Sequence, residues 1–468
     1  MLFTQPIFVA FFAVVFIACW SLRRNRQRKL LLLASSYVFY AAWDWRFLFL
    51  ILASTLIDYG VGLALRGGGS PRRRRWWVLA SLATNLGILG FFKYFNFFVS
   101  SGAGVLHAVG FSPPEMSLDI ILPVGISFFT FQSVSYTIDV YRGDLEPTRN
   151  WVDFGLYVSF FPQLVAGPIV RARDFLPQLA TRKRLADVPF RSSTALFLVG
   201  FLKKACIADN VAPLVDEVFA SPESYTLGSI WIAVGFYAVQ IYCDFSGYTD
   251  MAIAVARMLG YELCVNFNFP YFASSIQDFW RRWHMSLSTW LRDYLYISLG
   301  GSRGTQLFRF RNVLITMLLG GLWHGASWNF VVWGGLHGLA LGAHSLYRSS
   351  RLSASPHLSR LRPLFVLLTF YWVCIAWVFF RATDFDAALT ILRGIVGFQA
   401  TGSLAIDPRL AYWFIPLVLA HWFSSRASVM DRVEPLPYWL CAMGFGVATA
   451  IMLLFTPVEY RPFVYFQF

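Results

Sequence analysis

Leu-Ile-Thr-Met-Leu-Leu-Gly-Gly-Leu-Trp-His-Gly-Ala-Ser-Trp-Asn, residues 314–329, decides how the chain is read. Leu314 to Trp323 is almost wholly apolar and then meets His324, with Gly320, Gly321 and Gly325 around it. A stretch this apolar suits a bilayer, where an ionisable side chain is costly unless something compensates. A histidine placed there is a functional candidate, and imidazole is the side chain best suited to exchange a proton near neutral pH. The glycines carry two readings. Gly321 and Gly325 have a small-xxx-small spacing, as do Gly334, Gly338 and Gly342, which lets helices or a ligand approach the backbone. They also leave His324 without a neighbouring Cβ as a shield. The ring is therefore expected either to bond a carbonyl across a helix interface or to face a tunnel as a reactive group.

The remaining sequence has the same character. Of 468 residues, 57% are hydrophobic, 18% aromatic and 14% charged, against roughly 25% charged in soluble domains. Mean hydropathy is +0.55. Helices are the spanning element that fits apolar runs of this length, and about ten to twelve fit here, some re-entrant or interfacial. The fold class is an all-α polytopic membrane protein, with one membrane domain over 1–468.

Lys and Arg number 39 against 25 Asp and Glu, a net charge of +14. Their distribution argues against nucleic acid as a partner. They cluster between apolar runs: Arg23, Arg24, Arg26, Arg28 and Lys29; Arg72 to Arg75; Arg171, Arg173, Arg182, Lys183 and Arg184; Arg348, Arg351, Arg360 and Arg362. That pattern predicts cytoplasmic loops, with the N-terminus outside. Residues 1–22 do not read as a cleaved leader, because the charges follow the apolar run. Cys19, Cys206, Cys243, Cys264, Cys374 and Cys441 show no CxxC spacing, so neither a disulfide framework nor a zinc site is indicated. No metal site is expected.

Three further stretches break the pattern. Within 119–141, Pro123, Gly125, Gln132, Ser133, Ser135 and Asp139 interrupt an apolar run, and Phe160 to Gln163 with Ala166-Gly167-Pro168 interrupt the next. Broken helices at membrane depth need protein or a water-filled cavity around them, so tight packing and a hydrated cavity both remain open. Residues 276–298 read as one amphipathic helix. Trp280, Trp283, Leu287, Leu291 and Tyr294 form its apolar face, and Arg281, His284, Ser288 and Arg292 a polar one, as in an interfacial helix. His284 is then either a chemical group or part of an interfacial stripe. Asp244 and Asp250, beside Arg257, read as an ion pair or cap rather than as catalysts. His107 and His357 fall in polar connections, His421 at a span end. His337 and His344 share a helix face, too far apart to chelate one ion.

A base in a water-poor channel suits acyl transfer from a thioester, which needs a pocket and polar groups to hold charge. Phosphate-loop and dinucleotide motifs are absent from the sequence. A transporter or flippase for a polysaccharide precursor would also explain polar breaks in a bundle.

Several motifs in order point to one family. They are Leu122 to Gln132, Ser135 to Arg142, Phe161 to Ile169, Asp244 to Ala252, Asn266 to Tyr271, Asp278 to Ser288 and Leu322 to Ala326. On these the chain resembles the membrane-bound O-acyltransferase (MBOAT) family, in the bacterial branch that serves alginate O-acetylation and teichoic-acid D-alanine transfer. The resemblance implies a helical bundle around a central tunnel, His324 as the catalytic histidine and His284 as the second signature position. It also implies acetyl-CoA as acyl donor with no tightly bound cofactor, and residence in the bacterial inner membrane. Expected partners are membrane lipids, a periplasmic or lipid-anchored acetyltransferase partner protein and a polysaccharide acceptor. Acyl delivery to peptidoglycan or teichoic acid is the alternative within the family.

Overall fold

The computed structural model describes residues 1–114, 117–350, 360–399, 402–426 and 429–464. Arg351 and His357 lie outside the described residues. Among those described, the regular structure is helical throughout, with one isolated bridge between Tyr225 and Leu404. The chain is a multi-pass membrane protein. On length and apolarity, Asn25–Arg66, Pro71–Ala108, Leu227–Met258, Arg362–Arg381 and Tyr438–Phe455 can cross a bilayer, and Pro6–Ser21 is a shorter apolar helix. Among the described residues, polar residues and prolines keep other apolar helices below that length or apolarity. Trp151–Ser159, for example, stops where Phe160 and Pro162 intervene.

The chain packs as two compact units. The first, Met1–Val188 with Val255–Cys264, has as principal helices α1 (Pro6–Ser21), α2 (Asn25–Asp44), α3 (Leu48–Arg66), α4 (Pro71–Leu89), α5 (Phe95–Ala108), α6 (Ile126–Arg142), α7 (Trp151–Ser159) and α8 (Ala172–Ala180). The second, Pro189–Ala254 with Val265–Phe468, holds both candidate histidines. Its helices are α9 (Phe190–Phe201), α10 (Asp209–Ala220), α11 (Leu227–Met258, last turn in the first unit), α12 (Ile276–Trp280) and α13 (Met285–Trp290). They are followed by α14 (Gln306–His324), α15 (Trp328–Ser349), α16 (Arg362–Arg381), α17 (Phe385–Ile395), α18 (Phe414–Arg426) and α19 (Tyr438–Phe455).

In the first unit the broken run at 119–141 resolves as tight packing. Gly125 starts α6 at φ 76, and a Cβ there would lie 2.6 Å from the Leu164 carbonyl oxygen. Ser133 and Thr137 of α6 turn inward to a network centred on Asp58 of α3, itself 0% exposed. Asp58 accepts hydrogen bonds from Asn85 Nδ2 at 2.9 Å, Thr137 Oγ1 at 3.1 Å and Ser81 Oγ. Ser54 donates to Asn85 Oδ1 at 2.7 Å and lies 3.3 Å from the Ser133 hydroxyl oxygen. Carboxylate, amide and hydroxyls satisfy one another in a place where water is scarce. The first basic cluster is also not a free loop. Helix α2 begins at Asn25 and takes in Arg28 and Lys29, which are buried. Arg28 donates to the Lys183 carbonyl at 2.6 Å, and Lys29 pairs with Asp153 at 2.6 Å. Long basic side chains reach partners that a loop reading does not anticipate.

In the second unit, α14 and α15 form a close hairpin. A Cβ on Gly321 or Gly334 would overlap the carbonyl oxygen of Phe330 or Met317 respectively, and one on Gly325 would overlap the Phe330 ring. The glycine spacing therefore serves helix contact, and the idea that it exposes His324 is not upheld. Gly334→Val is expected to force the pair apart, at about 1–3 kcal/mol or more. Gly335, whose Cβ would meet Leu318 at an ordinary 3.5 Å, supplies the control as Gly335→Ala. Melting in detergent should separate the two variants, and equal melting temperatures would contradict the close packing.

Candidate active site

The amphipathic helix read over 276–298 does not form as one piece. Ser275 caps α12 by accepting from the Asp278 backbone N–H at 3.1 Å, and α12 ends at Trp280. The chain then turns through His284, which sits at φ 42 and ψ 55, before α13 starts at Met285. A left-handed conformation costs a non-glycine residue roughly 1–2 kcal/mol, so neighbouring contacts must impose it. Asn266 supplies several. Its carbonyl accepts from Met285 N at 2.9 Å, and its Oδ1 accepts from Ser286 N at 3.1 Å and Ser286 Oγ at 2.9 Å. The Asn268 N–H donates to the Arg282 carbonyl at 2.9 Å. The motifs at 266–271 and 278–288 thus dock backbone to backbone and fix this turn.

The break removes the predicted polar face. Arg281 and Arg292 are exposed while His284 is 0% exposed, so these residues do not share a surface. The interfacial-stripe reading of His284 fails. Burial disfavours its charged form and pushes its pKa below the ordinary histidine range. The apolar set Trp280, Trp283, Leu287, Leu291 and Tyr294 is buried as expected, in protein.

His324 is the last residue of α14, because Gly325 follows in extended backbone. Ser327 then caps α15, accepting from Asn329 N at 3.3 Å, and Asn329 Nδ2 donates to the Ala382 carbonyl at 3.2 Å, just past α16. The His324 ring meets Trp323 and Trp333 at 4.9 Å, Phe380 at 5.2 Å and His284 at 6.4 Å between centroids. The structure therefore brings together the two histidines that the sequence singles out, from segments forty residues apart (324 − 284). Aromatic rings enclose them, and His324 keeps 4% of its surface. Among the described residues no third His, Cys, Asp or Glu joins them in a cluster able to hold a metal ion.

The other histidines separate clearly. His337 of α15 is fully buried beside this group, its Nδ1 accepting from Trp280 Nε1 at 3.3 Å, with Trp333 4.8 Å away. His344 is half-buried against Tyr347, and His107 is exposed in the last turn of α5. His421 packs among Tyr242, Phe269, Tyr271 and Phe272 rather than marking an interface.

Asp244 and Asp250 are ion-paired, but not with Arg257, which bonds Glu262 at 2.8 Å. Lys203 holds Asp250 at 2.7 Å, and Lys204 holds Asp209 at 2.6 Å and Asp244. Lys204, on the π-helical turn between α9 and α10, is missing from the sequence reading. Two adjacent lysines inside the apolar run 192–212 are the signal that identifies it. Asp244 Oδ2 also accepts from Val464 N at 2.8 Å, which brings Phe463 to 5.3 Å from Phe245. Phe245 lies 4.6 Å from His284. The C-terminal segment is thus part of the wall behind the site.

A pair of buried imidazoles in an aromatic enclosure, with His284 held on motifs whose backbones interlock, can exchange protons with a small reacting group. Residues 148–385 match the membrane-bound O-acyltransferase family. The chain is 45% identical over 399 residues to the probable alginate O-acetylase of Azotobacter vinelandii, covering 85% of this chain and 78% of that one. It is 38% identical to the probable alginate O-acetylase of Pseudomonas putida over the whole of both chains. To the peptidoglycan O-acetyltransferase of Helicobacter pylori it is 38% identical, over 85% of this chain and 80% of that one. With both histidines inside the matched region, the chain belongs to the membrane-bound O-acyltransferase family and is a multi-pass membrane O-acyltransferase.

Proposed function

We propose that this enzyme moves acetyl groups from cytoplasmic acetyl-CoA across the inner membrane toward an extracytoplasmic polysaccharide of the alginate type. The observation that carries the site assignment is the His284–His324 juxtaposition, with centroids 6.4 Å apart inside one aromatic enclosure. His324 acts as general base. It takes the hydroxyl proton of the acceptor as the acceptor oxygen bonds to the thioester carbonyl carbon. The carbonyl electrons move onto oxygen and return as the C–S bond breaks, and the departing thiolate receives the proton from the imidazolium. His284, held neutral by burial, orients the thioester near the cytoplasmic mouth of the tunnel. Movement of the surrounding rings admits the reactants. The two units work as one acyltransferase domain. No tightly bound cofactor takes part. A periplasmic or lipid-anchored acetyltransferase completes delivery to the polymer.

The alginate-type acceptor is favoured by the names of the relatives matched at 45% identity and over the full chain length. The peptidoglycan relative supports a second reading, acetyl delivery to the cell wall. Incubating membranes that carry the protein with labelled acetyl-CoA tests the class. Acyl transfer or thioester hydrolysis sensitive to His324 supports the proposal, and a polysaccharide transporter gives neither. Ester analysis of alginate and of peptidoglycan from the same cells separates the two acceptors. His284→Ala is expected to lower the transfer rate about a hundredfold at normal protein level. Unchanged turnover would return His284 to a packing role.

A further inference from the structure

Two buried donors, Trp333 against His324 and His337 against Trp333, have no role in the chemistry described so far. Trp333 and His337 stand on successive turns of α15, so both project from one helix face. Trp333 is 1% exposed and His337 0%. Their ring centroids lie 4.8 Å apart, and Trp333 lies 4.9 Å from His324. The indole N–H of Trp280 can only donate, so His337 Nδ1 accepts and the ring hydrogen sits on Nε2. Among the described residues, neither Trp333 Nε1 nor His337 Nε2 finds an acceptor. A buried donor without a partner is a standing cost, and two on one face beside a proposed base call for an explanation.

We infer that Trp333 Nε1–H and His337 Nε2–H donate hydrogen bonds to the acyl carbonyl oxygen during transfer. This inference rests on acyl transfer at His324. When the acceptor oxygen attacks, negative charge collects on the carbonyl oxygen, and fixed donors in a dry site stabilise it without reorganising. Trp280 has a positioning role, since its bond to Nδ1 sets the His337 tautomer. Phe279, parallel to the His337 ring at 6.0 Å, holds its plane. The ligand such a site takes is a thioester or ester carbonyl.

The test uses membranes carrying the full-length enzyme and acetyl-CoA as probe, with CoA release followed at limiting and saturating donor. Trp333→Phe keeps a ring and removes the donor, as does His337→Phe. Each is expected to lower kcat about a hundredfold, with KM and melting temperature close to wild type. His337→Gln, whose amide restores an N–H, should recover part of the loss. Variants that keep wild-type kcat, or that lose it together with melting temperature and without recovery in His337→Gln, overturn the inference. A second arm is independent of turnover. Acetyl-CoA should stabilise the wild-type enzyme against heat more than S-ethyl-CoA, which lacks the carbonyl, and Trp333→Phe should erase that difference. Persistence of the difference in both donor variants overturns the inference as well. A wild-type rate unaffected by His324→Gln would instead count against acyl transfer at His324, leaving the binding arm to judge the donors.

Discussion

Cells or membranes carrying His324→Ala are expected to lose acyl transfer by about a thousandfold or more, which most assays read as abolition. An alcohol attacks a thioester slowly unless its proton leaves as the new bond forms, and His324 is the imidazole assigned to take it. Alanine also vacates a ring that four others touch, so repacking could confound the result. His324→Gln answers that concern because it nearly keeps the volume and a polar end but cannot act as a base at neutral pH. Both variants should reach the membrane at wild-type abundance and show the same loss. A His324→Gln enzyme that acylates at the normal rate would remove His324 from the chemistry.

The second large effect concerns stability. Lys204→Met is expected to destabilise the second unit by about 3–5 kcal/mol, because it leaves Asp209 and Asp244 facing each other without their shared cation. The three side chains are 4%, 8% and 1% exposed, so water does not compensate. Neutralising the whole group, with Lys204→Met, Asp209→Asn and Asp244→Asn together, should recover much of the loss, since the cost lies in uncompensated charge rather than in missing bonds. Melting in detergent reads both. A Lys204→Met protein that melts with the wild type would show that the triad carries no such load. Activity should fall with stability here, because Asp244 tethers Val464, Phe463 lies against Phe245, and Phe245 against His284.

Local composition made much of this legible. Long apolar runs with charge between them predict helices across a membrane, and the apolar runs 3–22, 46–65 and 364–381 lie within a few residues of the observed bounds of α1, α3 and α16. The glycines of α14 and α15 left a close helix pair and an approaching ligand both open, and the structure selects the helix pair. His324 and His284 stood out because an imidazole in such surroundings demands a reason. Other features depended on partners distant in sequence. The run 276–298 has good helical periodicity, yet Asn266 captures the backbone at Met285 and Ser286 and imposes a left-handed turn at His284. Periodicity carries no information about that competitor. Likewise Arg257 is near Asp250 in sequence, but Lys203 lies nearer in space. His337 looked ordinary beside His344 until Trp280, from another helix, bonded it.

The amino-acid order alone settles that this chain lives in a bilayer as helices, and that a histidine closes one of its apolar runs, because the solvent's demands act residue by residue. Tertiary structure decided which groups meet. The 6.4 Å approach of His284 to His324, the turn that aims His284 inward and the shared cation of two aspartates each need chain segments that only folding brings together. Apolarity acts on each segment without regard to the rest, whereas hydrogen bonds and ion pairs require a partner within about 3 Å.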